Sequence, residues 1–262
     1  QIGMLLSSPT IRLVSVIGRG GIGKTALVNK ILRNLEYDQW PDSGENKHID
    51  GIAYLSTRST GISVERIYLE CTKFLSTSHK KSLLALWTDL QVTLEEKLEA
   101  LLSKLVGMYI ILLDNLEDCL DPAGAWLNEE MNTFIQVFLS SPHGAKILIT
   151  SRRPILLSDA MARYDNHVPL TDGLPQRDGI QLLRELDPNG FYGLRDAHDM
   201  LLGQVVEKFY GVPRALELVA SILANNPFVS VNEVLDVYLT KEGDCVREVI
   251  EESHRQLGQG AR

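Results

Sequence analysis

The run Gly18-Arg19-Gly20-Gly21-Ile22-Gly23-Lys24-Thr25 constrains this chain more than any other part of it. Residues 12–17 (RLVSVI) precede it and are rich in the β-branched types that suit a strand. From about Lys24 onward, Leu27, Val28, Ile31, Leu32 and Leu35 recur at helical spacing. A strand that passes through a glycine-rich turn into a helix belongs to a fold in which parallel strands alternate with helices. The residue types in the turn also have a chemistry. Glycines let the backbone turn tightly and aim its N–H groups inward, and the following helix N-terminus adds unpaired donors and partial positive charge. Lys24 adds a point charge that can reach the outer phosphates, and Thr25 adds a hydroxyl that can ligate Mg²⁺. The pattern therefore predicts a site for ATP or ADP with Mg²⁺, built from Gly18, Gly20, Gly21, Ile22, Gly23, Lys24, Thr25 and Ala26. At Arg19 and Ile22 only the backbone is needed.

The same letters satisfy the dinucleotide fingerprint GxGxxG at Gly18, Gly20 and Gly23. That motif expects an acid at the end of the second strand to hold a ribose. Here the second apolar run ends Ser56-Thr57-Arg58 and offers none, and the motif has no use for Lys24-Thr25.

Further strands are predicted at residues 51–57, 109–114, 146–150 and, as a short fifth, 167–170. Helices are predicted near 64–74, 94–105 and 126–139. The run YIILLD at 109–114 is apolar until its last residue, as a central parallel strand covered on both faces should be. Past Leu170 the pattern is helical only, with apolar faces at Leu182, Leu183 and Leu186, at Leu201 to Phe209, at Ala215 to Leu223 and at 231–239. Gly173 and Pro175 mark a boundary. The expected organisation is an α/β nucleotide-binding domain over residues 1–171, with a mostly parallel sheet and helices on both faces. A small all-α domain follows over 172–262.

Composition excludes some functions. A net charge of −8 disfavours a protein whose main task is coating nucleic acid. The short His79-Lys80-Lys81 run reads as a solvated loop. No apolar run approaches the roughly 20 residues of a membrane helix, so no membrane partner is expected. Cys71, Cys119 and Cys245 form no CxxC pair, which suggests reduced thiols and a cytoplasmic setting. The six histidines show no HxxxH or HExxH spacing, so no metal beyond Mg²⁺ is expected.

A phosphate-loop NTPase needs a second acid at the end of another central strand to hold Mg²⁺ through water, and Asp114 supplies it. Asn115 follows, where many active ATPases carry a carboxylate base; an amide cannot accept that proton, so turnover is expected to be slow. Asn115 itself is expected to matter little. Glu117 and Asp118 could substitute as bases, although before Pro122 they read as a solvated turn. Arg152, after the run KILITS, stands where a guanidinium could read a γ-phosphate with paired bonds. Catalytic roles are thus expected for Lys24, Asp114 and Arg152, and metal binding for Thr25 and Asp114.

In order along the chain, Gly18 to Thr25, Leu113-Asp114-Asn115, Thr150-Ser151-Arg152 and Gly211-Val212-Pro213 resemble the motifs of the NB-ARC ATPases, members of the STAND class of signalling NTPases. The resemblance covers almost the whole chain. It implies that Arg152 senses the γ-phosphate, that Pro213 packs near the adenine and that the helical domain closes over the nucleotide. Without it, Gly211-Val212-Pro213 reads simply as a helix break. Arg214 occupies a position where plant members usually have Leu, so a bacterial-type member is expected. Residues 249–257 look like the lead-in to a winged-helix domain, which suggests a core cut from a longer regulator. The expected function is an ATP/ADP switch that controls opening and homo-oligomerisation, with sensor and effector domains on the same polypeptide. The alternative is a P-loop kinase acting on a small acceptor, which would need an arginine-rich lid for which Arg152 and Arg153 are too few.

Overall fold

The computed structural model describes residues 1–37, 39–40, 48–59, 61–226 and 228–239. In chain order the first unit comprises α1 (Ile2–Ser7), β1 (Leu13–Ile17), α2 (Lys24–Glu36), β2 (Gly51–Ser56), α3 (Val64–Thr72), α4 (Thr77–Thr88), α5 (Leu94–Leu102), β3 (Tyr109–Asp114), α6 (Glu129–Ser140), β4 (Lys146–Ser151), α7 (Asp159–Ala162) and β5 (Asp165–Pro169). A single 3₁₀ turn, Leu116–Cys119, follows β3. The five strands form one sheet in the order β2-β3-β4-β1-β5, and every neighbouring pair is parallel.

Side chains alternate across a strand, so a sheet covered on both faces must be apolar in both registers. In β3, Ile111 and Leu113 join one core with Ala53, Leu55, Ile147, Ile149 and Phe134. Ile110 and Leu112 join the opposite core with Val14, Val16, Leu148, Val28, Leu32 and Leu35. This explains why the run at 109–114 shows no polar alternation. Three of the five expected helical positions on α2, namely Val28, Leu32 and Leu35, are buried at 0%, 6% and 0% exposure.

Three helices were not foreseen, one of them the four-residue α7. α1 buries Ile2 and Leu6 against the second core. α4 takes in His79-Lys80-Lys81, which were expected in a loop. Ser76 caps it by accepting the His79 N–H, and Leu83 is the buried anchor of its inner face. The Tyr68 hydroxyl donates to Leu83 O at 3.0 Å, and its ring lies 4.5 Å from that of Trp87. The three basic positions are solvated as expected, on a helix surface. α6 begins at Glu129, three residues later than the pattern suggested, because Asn128 caps it by accepting the Glu130 N–H at 2.7 Å.

The second unit contains α8 (Gln176–Glu185), α9 (Asp199–Lys208), α10 (Pro213–Asn225) and α11 (Val231–Leu239), with no strand among its described residues. This unit takes in the loop residues 19–23 together with the described residues between 171 and 239. Its core is formed by Leu183, Leu202, Val205, Phe209, Leu216 and Val219. α9 gives way to α10 through Tyr210 (φ 53°) and Gly211 (φ 60°), and Pro213 then occupies the first turn of α10. A Cβ at Gly211 would come within 2.2 Å of Leu174 O. The segment is therefore a helix break that only glycine fits.

Candidate functional site

Register aligns the strand ends. Ser56 pairs with Asp114 across β2 and β3, Leu113 with Ile149 across β3 and β4, and Val16 with Thr150 across β1 and β4. Polar residues of three strands and the start of α2 thus meet at one edge. In a parallel sheet this carboxyl-terminal edge is where ligands sit.

Asp114 lies at the centre of that row and is 2% exposed. Its Oδ1 accepts the Thr25 hydroxyl at 2.7 Å and the Thr150 hydroxyl at 2.5 Å. Its Oδ2 accepts the Asn115 amide at 2.8 Å, the Tyr54 hydroxyl at 3.2 Å and the Ser56 hydroxyl at 3.4 Å. The two metal-site candidates, Thr25 and Asp114, are therefore brought together. A buried carboxylate is tolerated because every lone-pair direction meets a donor. Tyr54 and Ser56 were not singled out from the sequence as site residues, and Thr150 entered only as part of the motif that ends in Arg152. Strand register reveals them, and register cannot be read from one strand alone.

Lys24, the first residue of α2, is 7% exposed, and its Nζ donates to Gly18 O at 2.7 Å. Burial lowers its pKa. Glu117 opposes that most strongly, Arg152 reinforces it, Asp114 opposes it and Arg58 reinforces it. These four charges act on the lysine, and Arg58, two residues past β2, is a further basic residue that the sequence pattern does not mark. Ala26 stands in the first turn of α2, where N–H groups lack intrahelical partners. In the loop, Gly21 and Gly23 have φ of 76° and 102°, conformations that side chains rarely adopt. Within the second unit the Arg214 N–H donates to Gly21 O at 3.3 Å, and a Cβ at Gly23 would stand 3.7 Å from Pro213 Cγ. Gly20 lies in the turn beside them, and the Ile22 side chain is buried at 4% exposure.

Asn115 corrects an expectation. It is no bystander: its backbone is left-handed (φ 57°), its N–H donates to Thr150 Oγ1 at 3.0 Å, and its amide holds Asp114. Glu117 provides a second correction. Its side chain is only 9% exposed, and its Oε1 pairs with Arg152 Nε at 3.0 Å, so it is not part of a solvated turn. Asp118 is exposed and accepts the Thr57 hydroxyl at 2.8 Å. Arg152 is half-exposed, whereas Arg153 sends Nη1 to Asp121 O at 3.0 Å.

A five-stranded parallel sheet whose first strand runs through GxxxxGK[ST] into a helix, with an acid of another strand bonded to the motif threonine, defines a nucleotide-binding P-loop NTPase. The sequence of residues 1–185 matches the NB-ARC domain, and the chain belongs to that family. It is 26% identical, over 94% of its length, to an uncharacterized WD repeat-containing protein of Nostoc sp., in keeping with a bacterial-type member. The chain spans about 19% of that relative. Among solved structures, the Walker-type ATPase of Pyrococcus abyssi aligns with a TM-score of 0.52 at 16% identity, covering 99% of this chain and 74% of that one. The HORMA:CdnC:Trip13 complex of E. coli MS115-1 aligns with a TM-score of 0.49 at 19% identity, covering 89% of this chain and 75% of that one. The first of these likenesses supports the fold alone. Among the described residues no helix is long and apolar enough to cross a membrane.

Proposed function

We propose that this chain is the nucleotide-sensing core of a larger cytoplasmic regulator, in which bound ADP holds one state and ATP favours an open, self-associating one. In this reading residues 1–171 bind the nucleotide and residues 172–262 form the helical domain that responds to it. Gly18 to Thr25 and the Ala26 N–H cradle the phosphates, Lys24 neutralises the outer ones, and Arg152 reads the third. The resemblance assigns the adenine contact to Pro213. The stretch at 249–257 lies outside the described residues. The WD repeats named for the Nostoc relative fit a sensor carried on the same polypeptide.

The observation that carries this reading is the oxygen pair of Thr25 Oγ1 and Asp114 Oδ1, 2.7 Å apart, with the buried Lys24 beside Thr25 at the start of α2. Hydroxyl and carboxylate oxygens are the donors a hard divalent cation prefers, so the residues fit Mg²⁺. When bound, the ion would neutralise charge on the phosphate oxygens. Thr25 would ligate it directly, and Asp114 would hold it through water. Slow hydrolysis, on the order of 10⁻⁴ to 10⁻² s⁻¹, follows where no base is optimally placed. Here the residue after Asp114 is an amide already donating to that carboxylate.

Calorimetric titration with ATP and with ADP, each with and without Mg²⁺, tests the reading on wild type and Lys24→Ala. Removing one charge-assisted bond worth about 1.5–3 kcal/mol should weaken both nucleotides by about ten- to a hundredfold. Unchanged affinities would sink the phosphate-loop assignment.

A further inference from the structure

Arg152 is not simply waiting for a phosphate, because its Nε is already engaged by Glu117 at 3.0 Å. The two partners are unequally placed. The Glu117 side chain is 9% exposed and the Arg152 side chain 53% exposed, so the acid is the buried member and the guanidinium the reachable one. Glu117 Oε2 is buried and has no hydrogen-bond partner among the described residues. The turn carrying Glu117 is also pinned. Asn115 N–H bonds Thr150 at the end of β4, and the Thr57 hydroxyl bonds Asn115 O at 3.1 Å and Asp118 at 2.8 Å. The acid therefore cannot easily follow the arginine if the arginine moves. Both groups lie within electrostatic reach of Lys24, and Glu117 is the largest charge contribution it feels.

We propose that Glu117 is the specificity-determining residue of this site: it competes with the third phosphate for Arg152 and so biases the protein toward ADP. This rests on the nucleotide reading above. ADP offers nothing where Arg152 would reach a third phosphate, so the Glu117–Arg152 pair survives its binding. ATP must draw Arg152 away and leave a buried carboxylate unpaired beside new negative charge. A ligand shifts a two-state equilibrium only by its differential affinity for the two states, and here Glu117 sets the size of that difference.

The test uses the full chain, titrated with ADP and with β,γ-imido ATP, each with Mg²⁺. Glu117→Gln keeps the shape and removes the charge. It should tighten the ATP analogue by up to about fivefold relative to ADP, the upper range for a partly exposed ion pair, and leave ADP within twofold of wild type. In an Arg152→Ala background the same substitution should leave the ratio unchanged, because the competition runs through that guanidinium. A merely structural role for Glu117 would weaken both ligands alike in either background. An unaltered or reduced preference for the analogue in Glu117→Gln, with wild-type binding intact, overturns the competition and leaves the nucleotide reading standing. Wild-type protein that binds neither ligand overturns both.

Discussion

Thr150 links Asp114 and the Asn115 backbone at the strand ends, and Thr150→Val isolates its hydroxyl. The side chain is fully buried. Oγ1 donates to Asp114 at 2.5 Å and accepts the Asn115 N–H at 3.0 Å. Valine fills nearly the same volume, so no cavity arises and the change measures hydrogen bonding. Losing one bond to a charged acceptor costs about 1.5–3 kcal/mol, and the lower end applies because Asp114 keeps four other donors. The stranded Asn115 N–H adds about 1–3 kcal/mol of uncompensated desolvation. A total near 3 kcal/mol corresponds to a drop of roughly 6–12 °C in the melting temperature of a chain this size. Circular dichroism melts without nucleotide measure it. Thr150→Ser, which keeps the hydroxyl and loses one methyl, should fall only about 2–4 °C. If Val melts within about 3 °C of wild type, or Ser falls as far as Val, the hydroxyl is not what holds this edge together.

Two further outcomes concern Asn115 and His143. Asn115→Ala should cost about 2 kcal/mol, from the left-handed backbone and the lost bond to Asp114; Asn115→Gly should recover the backbone part in urea unfolding, and equal losses for the two would refute the strain. His143 is half-buried with its Nε2 2.7 Å from Phe138 O, and its pKa is lowered to about 4, first by burial and then, against the Phe138 bond, by Arg12 and Lys146. The neutral form is favoured in the fold and the charged form in the unfolded chain. Its contribution is therefore complete above pH 6.5 and is lost as pH falls toward 4, on the order of 3 kcal/mol. His143→Gln should flatten that part of the stability profile, and an unchanged slope would show that other groups carry it.

How much of this could be read in advance depends on where the information lies along the chain. β1, the loop and α2 are contiguous, so their residue types announce strand, turn and helix in one window. β3 is likewise self-evident, since both faces are covered and only Asp114 breaks the apolar run. The partners of Asp114 were hidden because Ser56 and Thr150 reach it through strand register, which no single segment encodes. α4 was missed because its start is basic and a single buried leucine anchors its inner face. α1 was missed because six residues hold too little periodicity to distinguish from a loop.

Glu117 shows the deepest limit of reading by pattern. The letters LED before a proline describe a solvated turn equally well. What decides its environment is the left-handed step at Asn115, which turns the chain back so that position 117 meets the end of β4. Asp114 and Glu117 are three residues apart and chemically alike, yet their surroundings divide the work. Asp114 sits in register with three hydroxyl-bearing strand or helix positions and is saturated by neutral donors that leave its charge available to a cation. Glu117 meets one guanidinium and no other hydrogen-bond donor among the described residues, so its charge is spent on a residue that a ligand can claim. An acid held by several hydroxyls keeps one setting, as the proposed Mg²⁺ site would require, whereas an acid satisfied by a single cation suits a contact that is made and broken.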